Sequence, residues 1–128
     1  MRIAITMGDP AGVGPEILLS ACKSGEVHGD FFVVGDADVL EDCDRRLGFG
    51  LRLARVRNPE ECRDGAVNVL DLGLVRVDDL AIGRISKASG AASLAYVEAA
   101  TRLALDGRAS ALVTLPVNKE AVVGYSAQ

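Results

Sequence analysis

Large aromatic side chains are nearly absent from this chain. Its 128 residues include no tryptophan, and only 4% of them are aromatic although 49% are hydrophobic. A core with so few rings has to be filled by Ala, Val, Leu and Ile, which are the residues that dominate buried parallel strands. A chain of this length is large enough to bury such a core as one domain. The composition therefore favours an α/β domain.

Residues that commonly bind metals are scarce. His28 is the only histidine, and it stands in a polar stretch over residues 25–30. The cysteines are Cys22, Cys43 and Cys62, which are widely spaced and form no C-x-x-C motif. Protein zinc sites combine several such ligands at short spacings. We therefore predict no metal site in this chain, a solvated loop position for His28, and reduced thiols that are mostly buried, as in a cytoplasmic protein.

Long apolar runs and an excess of positive charge are also missing. No run approaches the roughly 20 apolar residues that a helix needs to span a bilayer. The 18 acidic and 14 basic residues give a net charge of −4. The densest basic stretch lies over residues 45–57. Its later arginines alternate with Leu51 and Leu53, which is typical of the solvent-exposed face of a strand. We therefore expect neither a membrane nor a nucleic acid as a partner. Because a strand pattern starts almost at once, we expect no signal peptide and a cytoplasmic location.

Strand-like and helix-like segments alternate along the chain. Strands are expected at 2–6, 31–35, 51–56 and 109–114, with shorter extended pieces at 67–72 and 74–77. Helices are expected at 15–24, from Asp36 to about Gly48, and at 89–106. Such alternation is typical of a mostly parallel sheet flanked by helices. The sequence therefore predicts an α/β fold in which 109–114 is a buried strand.

Two of the predicted helices have distinct apolar sides. The second helix is predicted to begin with Asp36 as its N-cap and to end at Gly48. Its apolar side carries Leu40, Cys43 and Leu47. The long helix over 89–106 is expected to carry Leu94, Val97, Ala100 and Ala104 along one side.

The glycine-rich loop from Gly8 to Glu16 joins the first predicted strand to the first helix. Glycines allow a sharp turn and a close backbone approach, so such loops often border ligands in α/β proteins. Pro15 has no N–H to donate, however, and Asp9 adds negative charge where a phosphate would sit. The loop is neither G-x-G-x-x-G nor a P-loop. We interpret it as a turn beside a polar cleft, lined by Asp9, Gly12 and Gly14; a simple strand–helix turn is the alternative.

Two more polar segments stand where ligands bind in parallel sheets, namely residues 86–90 and residues 114–119. Asn118 and Lys119 offer an amide and a cation after the strand that ends at Thr114. The lysine would bind a phosphate or carboxylate, or polarise a hydroxyl that loses hydride. The alternative is that Asn118 caps a final helix and Lys119 is solvated. For residues 86–90 an ordinary helix cap is the favoured interpretation. We predict that the loop over 8–16 shares a cleft with residues 114–119.

These segments resemble the 4-hydroxythreonine-4-phosphate dehydrogenase family of pyridoxal phosphate biosynthesis. That family opens with T-x-G-[DE]-P-[AS]-G-[IV]-G-P-E, which residues 6–16 match throughout. Its T-x-P-[IV]-x-K segment is matched by Thr114, Pro116, Val117 and Lys119. The stretch from Ser86 to Tyr96 is similar as well. The opening also resembles the shorter G-D-G-I-G-P-E of isocitrate and isopropylmalate dehydrogenases, which implies their type of fold.

The resemblance implies an NAD-dependent enzyme that oxidises and decarboxylates 4-hydroxythreonine 4-phosphate. Lys119 would be catalytic, and the residues lining the substrate or cofactor would be Asp9, Gly12, Gly14, Thr114 and Asn118. The resemblance also implies that full-length relatives form homodimers and bind zinc, magnesium or cobalt. The histidines that bind the metal come from both subunits and have no counterpart here. Residues 1–128 are thus expected to be a truncated N-terminal α/β portion, inactive alone. Two alternatives are a non-catalytic homologue acting as a binding or assembly module, and an enzyme for threonate or erythronate phosphates.

Overall fold

The sheet and its helices follow the predicted alternation. The computed structural model describes residues 2–80, 83 and 86–115. In chain order its elements are β1 (Ile3–Thr6), α1 (Gly14–Ser24), β2 (Phe31–Gly35), α2 (Ala37–Leu47), β3 (Leu53–Val56), β4 (Val67–Asp71), α3 (Lys87–Leu105) and β5 (Ala111–Thr114). Short 3₁₀ turns lie at Pro59–Glu61 and Val77–Asp79.

All neighbouring strands are parallel, and their order is β3-β4-β2-β1-β5. The connections through α1 and α2 advance toward β3, whereas the connection through α3 returns past β1 to β5. Right-handed crossovers therefore place α1 and α2 on one face of the sheet and α3 on the other. In agreement, α1 packs on α2, and α3 packs on β1, β2 and β5. The predicted α/β fold with a parallel sheet flanked by helices is confirmed.

Local sequence signals account for the helix ends. Gly48 follows α2 with φ +71°, a conformation that favours glycine, and its N–H donates to the carbonyl of Asp44. At the start of α3, Ser86 Oγ accepts a hydrogen bond of 3.1 Å from the N–H of Ser89. The predicted stop at Gly48 and the ordinary cap at residues 86–90 are both confirmed.

The core lies on both sides of the two central strands. Phe32, Val33 and Val34 of β2 are fully buried, as are Leu19 of α1 and Leu40 of α2. Among the described residues no helix is both long and apolar enough to cross a membrane. Aliphatic side chains supply most of the core, as the composition predicts.

The apolar side of α3 is not the side that packs against the sheet. On this apolar side Leu94, Val97 and Ala104 are only half-buried, and Ala100 is buried. The side that faces the sheet is instead more polar, and its buried residues are Ser89, Gly90, Ala92, Ser93, Tyr96 and Ala100. Counting apolar residues cannot find this side, because Ser93 donates to the carbonyl of Ser89 in its own helix and Tyr96 donates to Asp36, which lies far away in the sequence.

The last described strand is more exposed than predicted. Ala111, Val113 and Thr114 of β5 are exposed, and Val113 retains 45% of its accessible surface. Within the described residues β5 pairs with β1 alone and forms an edge of the sheet. Apolar composition therefore identified the strand correctly but not its position in the sheet.

The three thiols and the histidine differ in how deeply they are buried. Cys43 is buried, whereas Cys22 and Cys62 are half-buried, so the expectation of mostly buried thiols holds for one of the three. All are free, and burial raises the pKa of each thiol. His28 is exposed, as predicted, with Nδ1 2.9 Å from the carbonyl oxygen of Gly25.

Candidate functional site

The carboxyl ends of β1 and β5 lie side by side. Thr6 is in register with Thr114, and the N–H of Leu115 donates to the carbonyl of Thr6 over 3.3 Å. The glycine loop leaves β1 at this point, so both predicted segments begin at the same edge of the sheet. We call it the carboxyl edge. Asn118 and Lys119 lie outside the described residues, and their part in a shared cleft stays a prediction.

Asp9 holds the turn of the glycine loop from within. Its side chain is 4% exposed, and its Oδ1 accepts from the N–H of Ala11 over 2.8 Å. The N–H of Gly12 donates to the carbonyl of Asp9 over 3.0 Å. The carboxylate therefore satisfies a backbone donor within the loop. This contact supports the interpretation as a turn, while a role for Asp9 in lining a ligand stays a prediction.

Gly14 is required by packing against the strand below it. A Cβ at Gly14 would lie 2.2 Å from the carbonyl oxygen of Met7, far inside contact distance. At Gly12 the added atom would lie 3.2 Å from Cβ of Asp9, which a small shift relieves. The two glycines thus differ: Gly14 allows α1 to approach the end of β1, and Gly12 has more room.

Met7 is a buried residue that the sequence analysis missed. It is fully buried, and a Cβ at Gly35 would lie 2.5 Å from its sulfur. The N–H of Asp36 also points to this sulfur over 3.5 Å. Met7 therefore fills the space between the glycine loop and the end of β2. The only signal in the sequence is its place between Thr6 and Gly8.

The segment before α3 touches the glycine loop. The N–H of Gly83 donates to the carbonyl of Ala11 over 2.7 Å. Lys87 follows as the first residue of α3 and is exposed, and the first turn of this helix has no acidic residue. Because α3 follows β4 in a parallel sheet, its N-terminus lies at the carboxyl edge. Three segments thus come together there, including one that the sequence analysis assigned only a capping role.

Two buried hydroxyls have no hydrogen-bond partner among the residues that the structure describes. They are Thr6 Oγ1, at the end of β1, and Ser89 Oγ, in the first turn of α3. Thr6 is 0% and Ser89 1% exposed. Nearly all buried polar groups in proteins are hydrogen-bonded, and leaving one unpaired costs about 1–3 kcal/mol. Both belong to segments that end or begin at the carboxyl edge, where each retains the capacity for one more polar contact.

Asp36 is the N-cap residue of α2, as predicted, but its carboxylate makes no capping hydrogen bond. Its carbonyl accepts from Leu40 as an N-cap residue should, but its carboxylate turns away. The side-chain cap comes from Asp71 at the end of β4, whose Oδ1 accepts from the N–H of Ala37 over 3.0 Å. The reason is that β4 pairs with β2, which brings a second carboxylate to the start of the helix.

The Asp36 carboxylate instead joins three segments of the chain. Its Oδ1 accepts from the N–H of Leu74 over 2.7 Å and from that of Val75 over 3.5 Å. Its Oδ2 accepts from the hydroxyl of Tyr96 in α3. Burial raises the pKa of the Asp36 carboxyl, although these hydrogen bonds act in the opposite direction. Burial and the neighbouring carboxylate also raise the pKa of Tyr96.

The two helix N-termini at this edge differ in their fit to an anionic cofactor group. The first turn of α1 contains Pro15, which has no N–H, and the acidic Glu16. The first turn of α3 has Lys87 and no acid. Helix N-termini favour anions, and acidic side chains nearby oppose them. The described residues therefore fit the pyrophosphate of a dinucleotide at α3 and not at α1.

Other possible sites lie away from this edge or are not formed. A polar cavity of about 310 Å³ lies at the amino ends of the strands, opposite the carboxyl edge, and its lining includes Arg2, Cys62, Arg63 and Asn68. None of the predicted site residues that the structure describes lines it. Across residues 2–80, 83 and 86–115, no group of three or more His, Cys, Asp or Glu side chains could hold a metal ion.

Comparison with known proteins connects this fold to one group of dehydrogenases. The D-threonate 4-phosphate dehydrogenase of Cupriavidus necator is 37% identical over 124 residues, which cover 94% of this chain and 37% of that enzyme. The crystal structure of a 4-hydroxythreonine-4-phosphate dehydrogenase from Burkholderia phymatum superimposes with a TM-score of 0.87 at 36% identity, covering 95% of this chain and 38% of the other.

A third relative carries a different substrate in its name. The terephthalate 1,2-cis-dihydrodiol dehydrogenase of Burkholderia xenovorans matches with a TM-score of 0.79 at 30% identity, over 100% of this chain and 38% of its own. The chain thus spans less than two-fifths of the length of these three relatives. The model of the family described as pyridoxal phosphate biosynthetic protein PdxA matches residues 28–126. By this match, and in accord with the resemblance in its motifs, the chain belongs to the PdxA family.

Proposed function

We propose that the protein is an NAD-dependent dehydrogenase that oxidises and decarboxylates 4-hydroxythreonine 4-phosphate, and that residues 1–128 are the N-terminal α/β portion of such an enzyme. The observation that carries this proposal is the register between Thr6 and Thr114. It brings together the two segments whose motifs resemble the family. In parallel sheets this edge is where ligands bind.

In this proposal the residues at the carboxyl edge have different roles. NAD, when bound, accepts the hydride. Lys119 stabilises the charge of the substrate or of the hydroxyl that is oxidised, and Asn118 and Thr114 line the same side. Asp9, Gly12 and Gly14 form the opposite wall through a turn that is rigid in itself. Lys87 and the N–H groups of α3 that precede the capped N–H of Ser89 receive an anionic group of the cofactor or the substrate.

D-threonate 4-phosphate is the second candidate substrate. It is favoured because the relative from Cupriavidus necator, 37% identical to this chain, carries that activity in its name. Both candidates present a phosphate and a secondary hydroxyl, so the same cations would serve either. The difference between the two substrates has to be recognised by side chains near the reacting carbons.

The test is an assay of NADH formation with the two substrates side by side, using the protein as its cells produce it. Faster turnover of 4-hydroxythreonine 4-phosphate supports the proposal. Faster turnover of D-threonate 4-phosphate would show that the second candidate is the substrate. Absence of turnover with both substrates, despite binding of NAD, would favour the non-catalytic binding or assembly module. The assay needs added Mg²⁺, Zn²⁺ or Co²⁺ in separate arms.

The remaining parts of the proposal come from the family resemblance. They are a homodimer, a cytoplasmic location and a divalent metal whose ligands are outside residues 2–80, 83 and 86–115. A metal at the reacting oxygens would polarise them as a Lewis acid. Sedimentation measurements on the protein test the dimer, and calorimetry with each metal tests the ion.

A further inference from the structure

We propose that Asp36 and Tyr96 are positioning residues for the carboxyl edge: their hydrogen bonds hold the segment after β4 and the first half of α3 in place beside the end of β2. This inference rests on the proposed function, which places the ligand at that edge. Neither residue is proposed to touch the substrate or the cofactor.

The first argument is the distance in sequence between the partners. Asp36 follows β2 directly, Leu74 and Val75 follow β4, and Tyr96 lies midway along α3. The hydrogen bonds span 38, 39 and 60 residues respectively. They therefore connect three separate segments and are not part of a local turn.

The second argument is that the Asp36 carboxylate is not needed as the side-chain cap of α2, which is the role that its position in the sequence predicts. Asp71 already caps α2 by accepting from the N–H of Ala37. Asp36 is nevertheless 1% exposed and Tyr96 0% exposed. A buried carboxylate costs free energy unless it is fully hydrogen-bonded, and apolar residues often fill such positions without loss of stability. The hydrogen bonds of the Asp36 carboxylate therefore serve to select one arrangement of the segments that they join.

The third argument is the route from this pair to the edge. Tyr96 stands about two turns from the start of α3, whose first residue is Lys87. The N–H of Gly83, just before this helix, donates to Ala11 in the glycine loop. A shift of α3 along or about its axis would therefore move both Lys87 and the contact between Gly83 and Ala11.

The test compares four variants of the protein as its cells produce it: Tyr96→Phe, Asp36→Ala, Asp36→Asn and the control Asp38→Asn. Asp38 is an exposed carboxylate two residues away that pairs with Arg55. Tyr96→Phe removes a single hydroxyl and preserves the ring, so it remains informative where Asp36→Ala fails to fold. Asp36→Asn retains an oxygen that can accept from Leu74.

The first readout is amide hydrogen exchange, which needs no activity. Asp36→Ala is expected to speed exchange at Leu74 and Val75 by about tenfold or more, and Tyr96→Phe to speed it in the first turn of α3, at Ser89 and Gly90. Asp36→Asn should restore most of the protection, and Asp38→Asn should change neither region. Unchanged exchange at Ser89 and Gly90 in Tyr96→Phe, or equal changes in Asp38→Asn, would overturn the inference.

The second readout is steady-state kinetics with NAD and the better of the two substrates. Tyr96→Phe should raise KM by about fivefold with kcat within about twofold, since positioning acts on binding more than on the chemical step. A fall in kcat with unchanged KM would overturn the positioning role. If the protein shows no turnover at all, the proposed function fails, and hydrogen exchange alone then decides the coupling between the segments.

Discussion

The N-termini of α1 and α3 both lie at the carboxyl edge of the sheet, but different contacts hold them there. Packing holds α1, because Gly14 sits where any side chain would meet the carbonyl of Met7. Hydrogen bonds hold α3, through the hydroxyl of Tyr96 and the carboxylate of Asp36. The first turn of α1 carries an acid, and that of α3 a lysine.

This difference suggests that α1 supports the fold at the carboxyl edge, whereas α3 takes part in binding a ligand. In the loop before α1, the carboxylate of Asp9 is hydrogen-bonded to the backbone of the same loop. The start of α3 has cationic character and depends on polar contacts that a change of ligand or pH can alter. Each prediction below tests one half of this comparison.

The largest effect is expected at the packed helix. Gly14→Ala should lower the free energy of unfolding by about 3 kcal/mol, because the added methyl meets backbone that cannot move aside. Gly12→Ala is the matched control and should cost about 1 kcal/mol, because its neighbour is a side-chain atom 3.2 Å away. Denaturant unfolding of both variants measures this. Equal losses would show that the two glycines have the same role.

The next effect concerns the cation after β5. Lys119→Ala should reduce kcat/KM at least about tenfold, or about 1.4 kcal/mol, through loss of charge stabilisation in the site. The thermal midpoint should change little. The assay is NADH formation with Lys23→Ala as a control, since Lys23 lies in the last turn of α1, away from the carboxyl edge. Parallel losses of activity and folding would instead support a structural role for Lys119.

Of the two helices, α3 is the one whose contribution to stability is expected to depend on pH, because the carboxyl group of Asp36 holds it. The folded-state pKa of Asp36 is raised above 3.8, mainly by burial. Its contribution to stability is therefore fully present below the unfolded pKa and is lost as the pH rises through the raised value. Urea unfolding between about pH 3 and 7 should show the wild type losing stability relative to Asp36→Asn as the pH increases. A difference that does not vary with pH would contradict this.

The smallest effect is expected at the start of α3. Lys87→Ala should raise KM for the anionic ligand by about two- to fivefold without changing kcat, in keeping with about 0.3–1 kcal/mol for one exposed charge at a helix terminus. High salt should reduce the difference between the variant and the wild type. Lys23→Ala serves again as the control. An effect on kcat alone would show that Lys87 does more than attract an anion.

Much of the fold was predictable because its signals are local. The strand–helix alternation, the stop at Gly48 and the cap at Ser86 each depend on a few neighbouring residues. That Thr6 and Thr114 end their strands at the carboxyl edge was also predictable, since parallel strands end on the same side. That the two strands are neighbours depends on the strand order, which the tertiary structure decides. Lys119 and Asn118 remain predictions that rest on the family motif.

Other parts of the site were not predictable from periodicity. The buried side of α3 was missed because its polar residues, Ser89, Ser93 and Tyr96, look like a solvated face. The exposure of β5 was missed because strand composition does not reveal which strand is at an edge. Both errors come from judging burial by residue type alone.

The sequence by itself determined most of the strands and helices, although the extended piece expected at 74–77 is not a strand. It also determined which motifs mark the chain as a member of its family. Only the tertiary structure decided that Asp71 caps α2 and that Asp36 is free to hold Leu74 and Tyr96. The same holds for the need for glycine at position 14. The physical reason is that a helix cap or a turn depends on the next few residues, whereas these contacts depend on strand order, which joins groups 34 to 60 residues apart.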